Sequence, residues 1–189
     1  NGDRPWIAAG PDDSVYLSYF GGSPLGIVIR RSDDGGKNWS APFIPEPDGT
    51  VGGMSALPVI DASGRIHMVY VAKNGEGVYA RSDDRATSVA KRTVLSTSAY
   101  PQNIAIDRDD VLYVLALSAK DPKSFFLWRS IDGGNTWSAP IPIAEIGKDD
   151  AINLRWMSAG GHSKLALAWY GLSQGKMWTR LIESNDGGN

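Results

Sequence analysis

An all-β fold assembled from a repeated unit is what this chain of 189 residues predicts. Three observations carry the prediction. Short runs rich in β-branched and aromatic residues, SVYLSYF, RIHMVYVA, VLYVLAL and KLALAWY, alternate with polar turns. Twenty-two glycines and eleven prolines punctuate the chain too often for long helices. The same turn-and-strand pattern also returns four times. Aligned without gaps, the anchors Gly10, Asp61, Asp107 and Gly160 are followed by PDDSVYLSYF, ASGRIHMVYV, RDDVLYVLAL and GHSKLALAWY, and preceded by WIAA, LPVI, NIAI and WMSA.

The first repeat parses into four strands, about Trp6 to Ala9, Ser14 to Phe20, Gly26 to Ser32 and Trp39 to Ile44. The others follow the same plan, with boundaries near 1–47, 48–97, 98–146 and 147–189. A repeat of roughly 45 to 50 residues with four short strands is the sequence form of a β-propeller blade, because one small twisted sheet cannot bury both faces and must stack on neighbours. A β-sandwich is the alternative, but its strands need not recur in fours. The sequence stops at Asn189 before a fourth strand of the last repeat. The expectation is therefore about four four-stranded blades, the last incomplete, belonging to a larger propeller whose missing blades come from the same chain or an adjacent subunit.

One turn recurs in register. SDDGGKNW (Ser32 to Trp39) and SIDGGNTW (Ser130 to Trp137) stand at equivalent places, SDDRATSV (Ser82 to Val89) is a degenerate copy, and SNDGGN begins at Ser184. In these turns Asp34, Asp132 and Asp186 are placed to accept backbone N–H bonds, Gly36 and Gly134 to take positive φ, and Trp39 and Trp137 to pack under the hairpin. Arg85 to Val89 replace the glycines and tryptophan, which predicts a looser turn in the second copy. Ligand spacing and the lack of a glutamate at the twelfth position argue against a calcium loop, and four equivalent positions cannot all be one active site. Asn38 to Ser40 spells an N-glycosylation sequon at the place of the motif's threonine.

The motif resembles the Asp-box, or BNR repeat, of sialidases and related propeller proteins. The resemblance implies a sialidase-like β-propeller, an extracellular or periplasmic location, and a role in glycan binding or glycoside hydrolysis. If the intact protein is an enzyme, it is expected to be an exo-sialidase-like glycoside hydrolase. The competing expectation is a non-catalytic propeller that binds protein or scaffolds a complex. Sialidases hold a substrate carboxylate with three arginines and use an aspartate and a tyrosine–glutamate pair. Here DRPW places Arg4 near the first arginine, but proline follows it directly and YFGGSPLG carries no carboxylate. This segment is therefore expected not to be catalytic by itself.

A net charge of −2, with both signs scattered, argues against a nucleic-acid partner. No apolar run is long enough for membrane insertion. The absence of cysteine excludes thiolate chemistry and cysteine-held metals, and no motif calls for a cofactor or metal. Strand alternation puts the recurrent turns at one end of the sheets and the candidate chemistry at the other. There Arg4 and Arg155 are candidates for a carboxylate clamp. Glu76, Asp121, Asp149 and Asp150 are candidate glycosidase carboxylates, none with an evident partner. Trp6 and Trp156 are candidate sugar-binding aromatics whose matching positions, four before their anchors, favour packing. Arg31, Arg81 and Arg129, each just before a turn serine, read as structural.

Overall fold

The structure, a computed structural model of the chain, describes residues 2–51, 57–143 and 151–188. These residues form strands and turns, with no helix among them. The strands make four antiparallel sheets, grouped in two compact units, Asn1–Thr97 and Ser98–Asn189. The break between units coincides with the break between the second and third sequence repeats.

In the first unit, β1 (Asp3–Ala9), β2 (Val15–Gly21) and β3 (Gly26–Ser32) form one meander. A second contains β4 (Val59–Ile60), β5 (Ile66–Val71), β6 (Gly77–Ser82) and β7 (Lys91–Ser96). Alternation along the strands sends Tyr16, Ile27 and Ile29 of the first sheet against Ile66, Met68, Tyr70, Val78 and Ala80 of the second. The second unit repeats the scheme with β8 (Ala99–Ile106), β9 (Leu112–Ser118), β10 (Phe125–Ser130) and β11 (Ile141–Pro142) in one sheet. Its other sheet contains β12 (Ala151–Ala159), β13 (Leu165–Ser173) and β14 (Lys176–Ser184). Tyr113, Leu115, Phe125 and Leu127 pack there with Met157, Leu165, Leu167 and Trp169.

The first sheet departs from the expected four strands. In place of a strand over Trp39 to Ile44 there is a single bridge, Phe43 to Ile29, closed by two backbone bonds of 2.9 and 2.8 Å. Pro42 and Pro45 flank it, and neither has an N–H to extend the ladder.

The recurrent turns follow the third strand of every sheet and share one bonding scheme. Ser130 Oγ donates to Asp132 Oδ1 at 2.8 Å and accepts from Gly134 N–H at 2.9 Å. Asp132 Oδ1 also accepts from the N–H groups of Asn135 and Thr136, and its Oδ2 from Thr136 Oγ1. Ser32 and Asp34 repeat the pattern with Gly36, Lys37 and Asn38, and Trp39 Nε1 donates to Gly36 O at 3.1 Å. Asn38 substitutes for the threonine, donating its side-chain N–H to Asp34 Oδ2 at 2.6 Å, so the sequon amide is engaged within the turn. Ser184 bonds Asp186 and Gly188 in the same way.

The second copy is not looser. Ser82 bonds Asp84 and accepts from Ala86 N–H, while Asp84 accepts from Thr87 and Ser88. Arg85 and Ala86 adopt φ of 62° and 63°, where the other copies carry glycine. The side-chain bonds thus hold two L-residues in a region that costs roughly 1 kcal/mol each. Arg85 gains partners there: its guanidinium lies 2.8 Å from Asp12 and 2.6 Å from Asp33. Arg31 also pairs with Asp33, and Arg81 with Asp83, as the structural reading of these arginines expects.

Ser130 is buried and its acceptor role satisfies a buried N–H. Ser130→Ala is expected to lower unfolding stability by about 1–3 kcal/mol in urea titration, without changing the far-UV spectrum of the folded chain. An effect below the error of that titration would show that the serine is dispensable to the turn.

Candidate functional site

The end of each sheet opposite the recurrent turns is less regular. The first strands of three sheets, β1, β8 and β12, each carry one extra residue relative to their neighbours. Asp3 pairs with Phe20 but Trp6 with Ser18; Pro101 pairs with Ala116 and Asn103 with Leu115; Asn153 pairs with Tyr170 and Trp156 with Ala168. These are β-bulges at matching repeat positions, a device that re-aims side chains at a sheet end. Pro5 and Pro101 lie within two of them, and Arg4 and Leu154 take positive φ in the first and third.

In the second unit the bulges of β8 and β12 bring Gln102 and Arg155 together. Arg155 Nη2 donates to Gln102 Oε1 at 2.5 Å. The guanidinium carbon lies 5.5 Å from the centroid of the Phe125 ring, a cation–π arrangement. Arg155 Nε is buried without an acceptor, and no carboxylate pairs with this arginine among the described residues. Burial pushes its pKa below the ordinary guanidinium value, and the group remains a cation at neutral pH. Beside Gln102 in sequence, Asn103 is 3% exposed and its Oδ1 also has no donor. Among the described residues Arg155 therefore carries a positive charge that no carboxylate compensates and an unused donor over an aromatic floor, which suits an oxygen-rich or anionic ligand.

The other sequence candidates fall elsewhere. Arg4, in the first unit, is exposed and pairs with Asp3 at 3.6 Å. Trp6 packs against the first unit's core. Trp156 is 37% exposed and stands on the face of β12 opposite buried Met157. Asp121 accepts from Lys123 N–H and Ser124 Oγ, a turn cap within its own hairpin. Glu76 does have a partner: Arg92 Nη2 donates to it at 3.2 Å. The Asn74 side chain, and then Arg92, hold its pKa below the usual carboxylate value, favouring the ionised form over a general acid. Asp149 and Asp150 lie outside the described residues.

Sequence reasoning missed Gln102 and Glu46. Gln102 stands five residues before its anchor Asp107, as Arg155 stands five before Gly160, so the repeat alignment held the signal. Glu46 is a buried carboxylate that accepts from Arg92 Nε at 3.1 Å, and nothing in PEPDG distinguished it from a solvated loop acid.

Two further features compete for attention. In the first unit, His67 Nδ1 lies 2.7 Å from Tyr79 Oη and its Nε2 3.1 Å from Asp61 Oδ2, with Arg65 also bonded to Asp61. The imidazole is fully buried, so this Asp–His–Tyr chain is a core strut. In the second unit, a cleft of about 650 Å³ is lined by Leu127, Ile141, Met157, Leu167 and Ile182, among others. It extends to Ser184 and Gly188, at the end of the sheets that bears the recurrent turns, and Arg155 and Gln102 are absent from its lining. An apolar wall without convergent donors suits packing better than sugar recognition.

No family model and no curated relative matches the chain at the sequence level. Solved structures do resemble it. Hadza microbial sialidase Hz136 superposes with a TM-score of 0.68 at 15% identity, covering 98% of this chain and 45% of that one. The GH74 xyloglucanase from Xanthomonas campestris gives 0.63 at 21% identity, with 100% and 29% covered. A PL25 ulvan lyase gives 0.62 at 15% identity, with 98% and 54% covered. These neighbours are propeller-type carbohydrate-active enzymes, and the chain spans about half their length or less. At such identities the likeness concerns the fold.

The His67 strut makes stability pH-dependent. Burial first, then the nearby cations Arg65 and Arg81, outweigh Asp61 and leave the folded pKa below the 6.5 of a free imidazole. Between those values the unfolded chain binds a proton that the folded chain refuses, so stability is full above pH 6.5 and falls as pH drops toward the folded pKa. Asp34 and Asp132 act at lower pH: hydrogen bonds led by Asn38 and Thr136 respectively bring both to about 2, and their stabilisation is lost as pH falls from 3.8 through that value. Thermal unfolding is expected to show a decline beginning near pH 6.5 that flattens in His67→Gln, with the second decline retained. An unchanged upper limb in that variant would remove His67 as its cause.

Proposed function

We propose that the four sheets are blades of a sialidase-like Asp-box β-propeller that acts extracellularly or in the periplasm on glycans. In this reading the bulged ends of the inner strands form the sugar-facing rim, and the Ser–Asp turns are structural joints at the other end. The observation that carries it is Arg155: a half-buried guanidinium over Phe125, held by an amide and by no described carboxylate. Such a group is suited to the carboxylate of an acidic sugar. The carbohydrate-active neighbours support a glycan-related role, while fold likeness leaves the reaction open. Among the described residues no paired acid and nucleophile stands at this cluster, so catalysis requires residues beyond those gathered here.

A second reading, a protein-binding scaffold, has one observation in its favour. Trp156, Tyr170, Leu172, Met177 and Leu181 lie exposed on one face of the fourth sheet, as the cross-strand register of Trp156 and Leu181 with Ala168 and of Leu172 with Met177 requires. A further antiparallel sheet, from the same chain or an adjacent subunit, is the occupant proposed for it.

The readings separate by experiment. Turnover of a fluorogenic sialoside by the whole protein, reduced at least about tenfold by Arg155→Ala with Tm largely kept, is expected of the hydrolytic form. Inactivity across a glycoside panel, no detectable binding of acidic sugars, and a stable co-purifying subunit would instead establish the scaffold.

A further inference from the structure

Gln102 is tied down on its amide nitrogen. Its Nε2 donates to Tyr100 O at 3.0 Å and to Pro101 O at 3.3 Å, both in its own strand. Those two bonds fix which way the amide faces, because only the nitrogen can donate to carbonyls. The oxygen is thereby directed to Arg155 Nη2. Phe125 lies against the guanidinium, and Nε remains buried without an acceptor. One donor of the fork is thus occupied by a neutral group, the guanidinium orientation is set, and no carboxylate among the described residues neutralises its charge.

A glutamate at position 102 could accept from Arg155 and neutralise the cation, at the loss of the two bonds that Nε2 donates to Tyr100 O and Pro101 O; the protein instead places an amide there. An anion-binding arginine needs both orientation and unneutralised charge, and a neutral acceptor provides the first without removing the second.

We infer that Gln102 is a positioning and specificity-determining residue: it aims Arg155 at the carboxylate of a bound sugar acid and, by staying neutral, sets the preference for acidic over neutral sugars. This deepens, and rests on, the reading of the rim as a glycan site. It acts through Arg155 and takes no part in bond breaking.

The test compares methyl β-glucuronide with methyl β-glucoside, which differ at one carbon in bearing a carboxylate or a hydroxymethyl group, binding being followed by NMR titration of the full chain. The wild-type chain is expected to prefer the glucuronide by about tenfold or more. Gln102→Met should reduce that ratio, and Gln102→Glu should bring it near one, while glucoside binding changes little in either. A purely structural role would move both sugars together. Retention of the full ratio in Gln102→Glu would overturn the inference. A wild-type ratio near one would instead remove the acidic-sugar reading on which it rests, so the two failures are distinguishable. The wild-type chain also provides a readout independent of the variants. The Arg155 Nε–H resonance is expected to shift with glucuronide and stay with glucoside, and glucuronide binding without that shift would overturn the proposal.

Discussion

The hydrogen bonds of the Ser-x-Asp turns are the constraint on which the sheets depend. At Ser32, Ser82 and Ser130 a buried hydroxyl accepts a backbone N–H four residues on and donates to an aspartate that itself receives two further N–H groups. A buried amide left unpaired costs about 1–3 kcal/mol, so the scheme fixes the path of the chain as it leaves the third strand. Beyond the turn it is locked again, as Ser40 and Ser138 exchange bonds with Arg31 and Arg129 across the hairpin. The second copy shows the strength of this control, since Arg85 and Ala86 conform to the glycine geometry.

Regularity at one end permits irregularity at the other. The strands β5 and β9 are buried along most of their length, β2 is nowhere fully exposed, and β2 and β9 hold unbroken register with β3 and β10. The edge strands β1, β8 and β12 can then bulge at the far end without losing the sheet. Pro5 and Pro101 favour such places because they have no N–H to contribute to the ladder. Residues in the bulges are released from strict alternation, which is how Gln102 and Arg155, from different sheets of one unit, reach one another.

Much of this was legible before any coordinates. The anchor alignment located most of the strands and the recurrent turns, because each repeat carries both its polar turn and its period-two pattern. The turn chemistry was also visible, since Ser, Asp and Gly each have a distinct reason to be there. The first sheet's missing fourth strand was less visible: Trp39 to Ile44 has strand composition, and only Pro42 and Pro45 opposed it. The degenerate turn misled because glycine preference is a local tendency that tertiary and side-chain bonds can overrule. Glu76 illustrates a different limit. Its partner Arg92 lies in another strand, and long-range ion pairs leave no trace in local spacing.

The same limit explains why the sequence singled out Arg155 and not Gln102. Arginines in this chain fall into distinct environments. Arg31 and Arg81 each face an aspartate two residues away, so their charge is spent locally and the pairing could be anticipated from RSD. In the third repeat isoleucine replaces that aspartate, and Arg129 Nε is buried without a partner at the turn end. Lack of a partner therefore does not by itself define a site. Arg155 combines it with a bulge, an aromatic floor and a neutral side chain that sets its direction. A structural arginine is best served by a carboxylate, which stabilises the cation fully; an arginine reserved for an anionic ligand is best served by an amide, which aligns it and leaves the charge to the ligand.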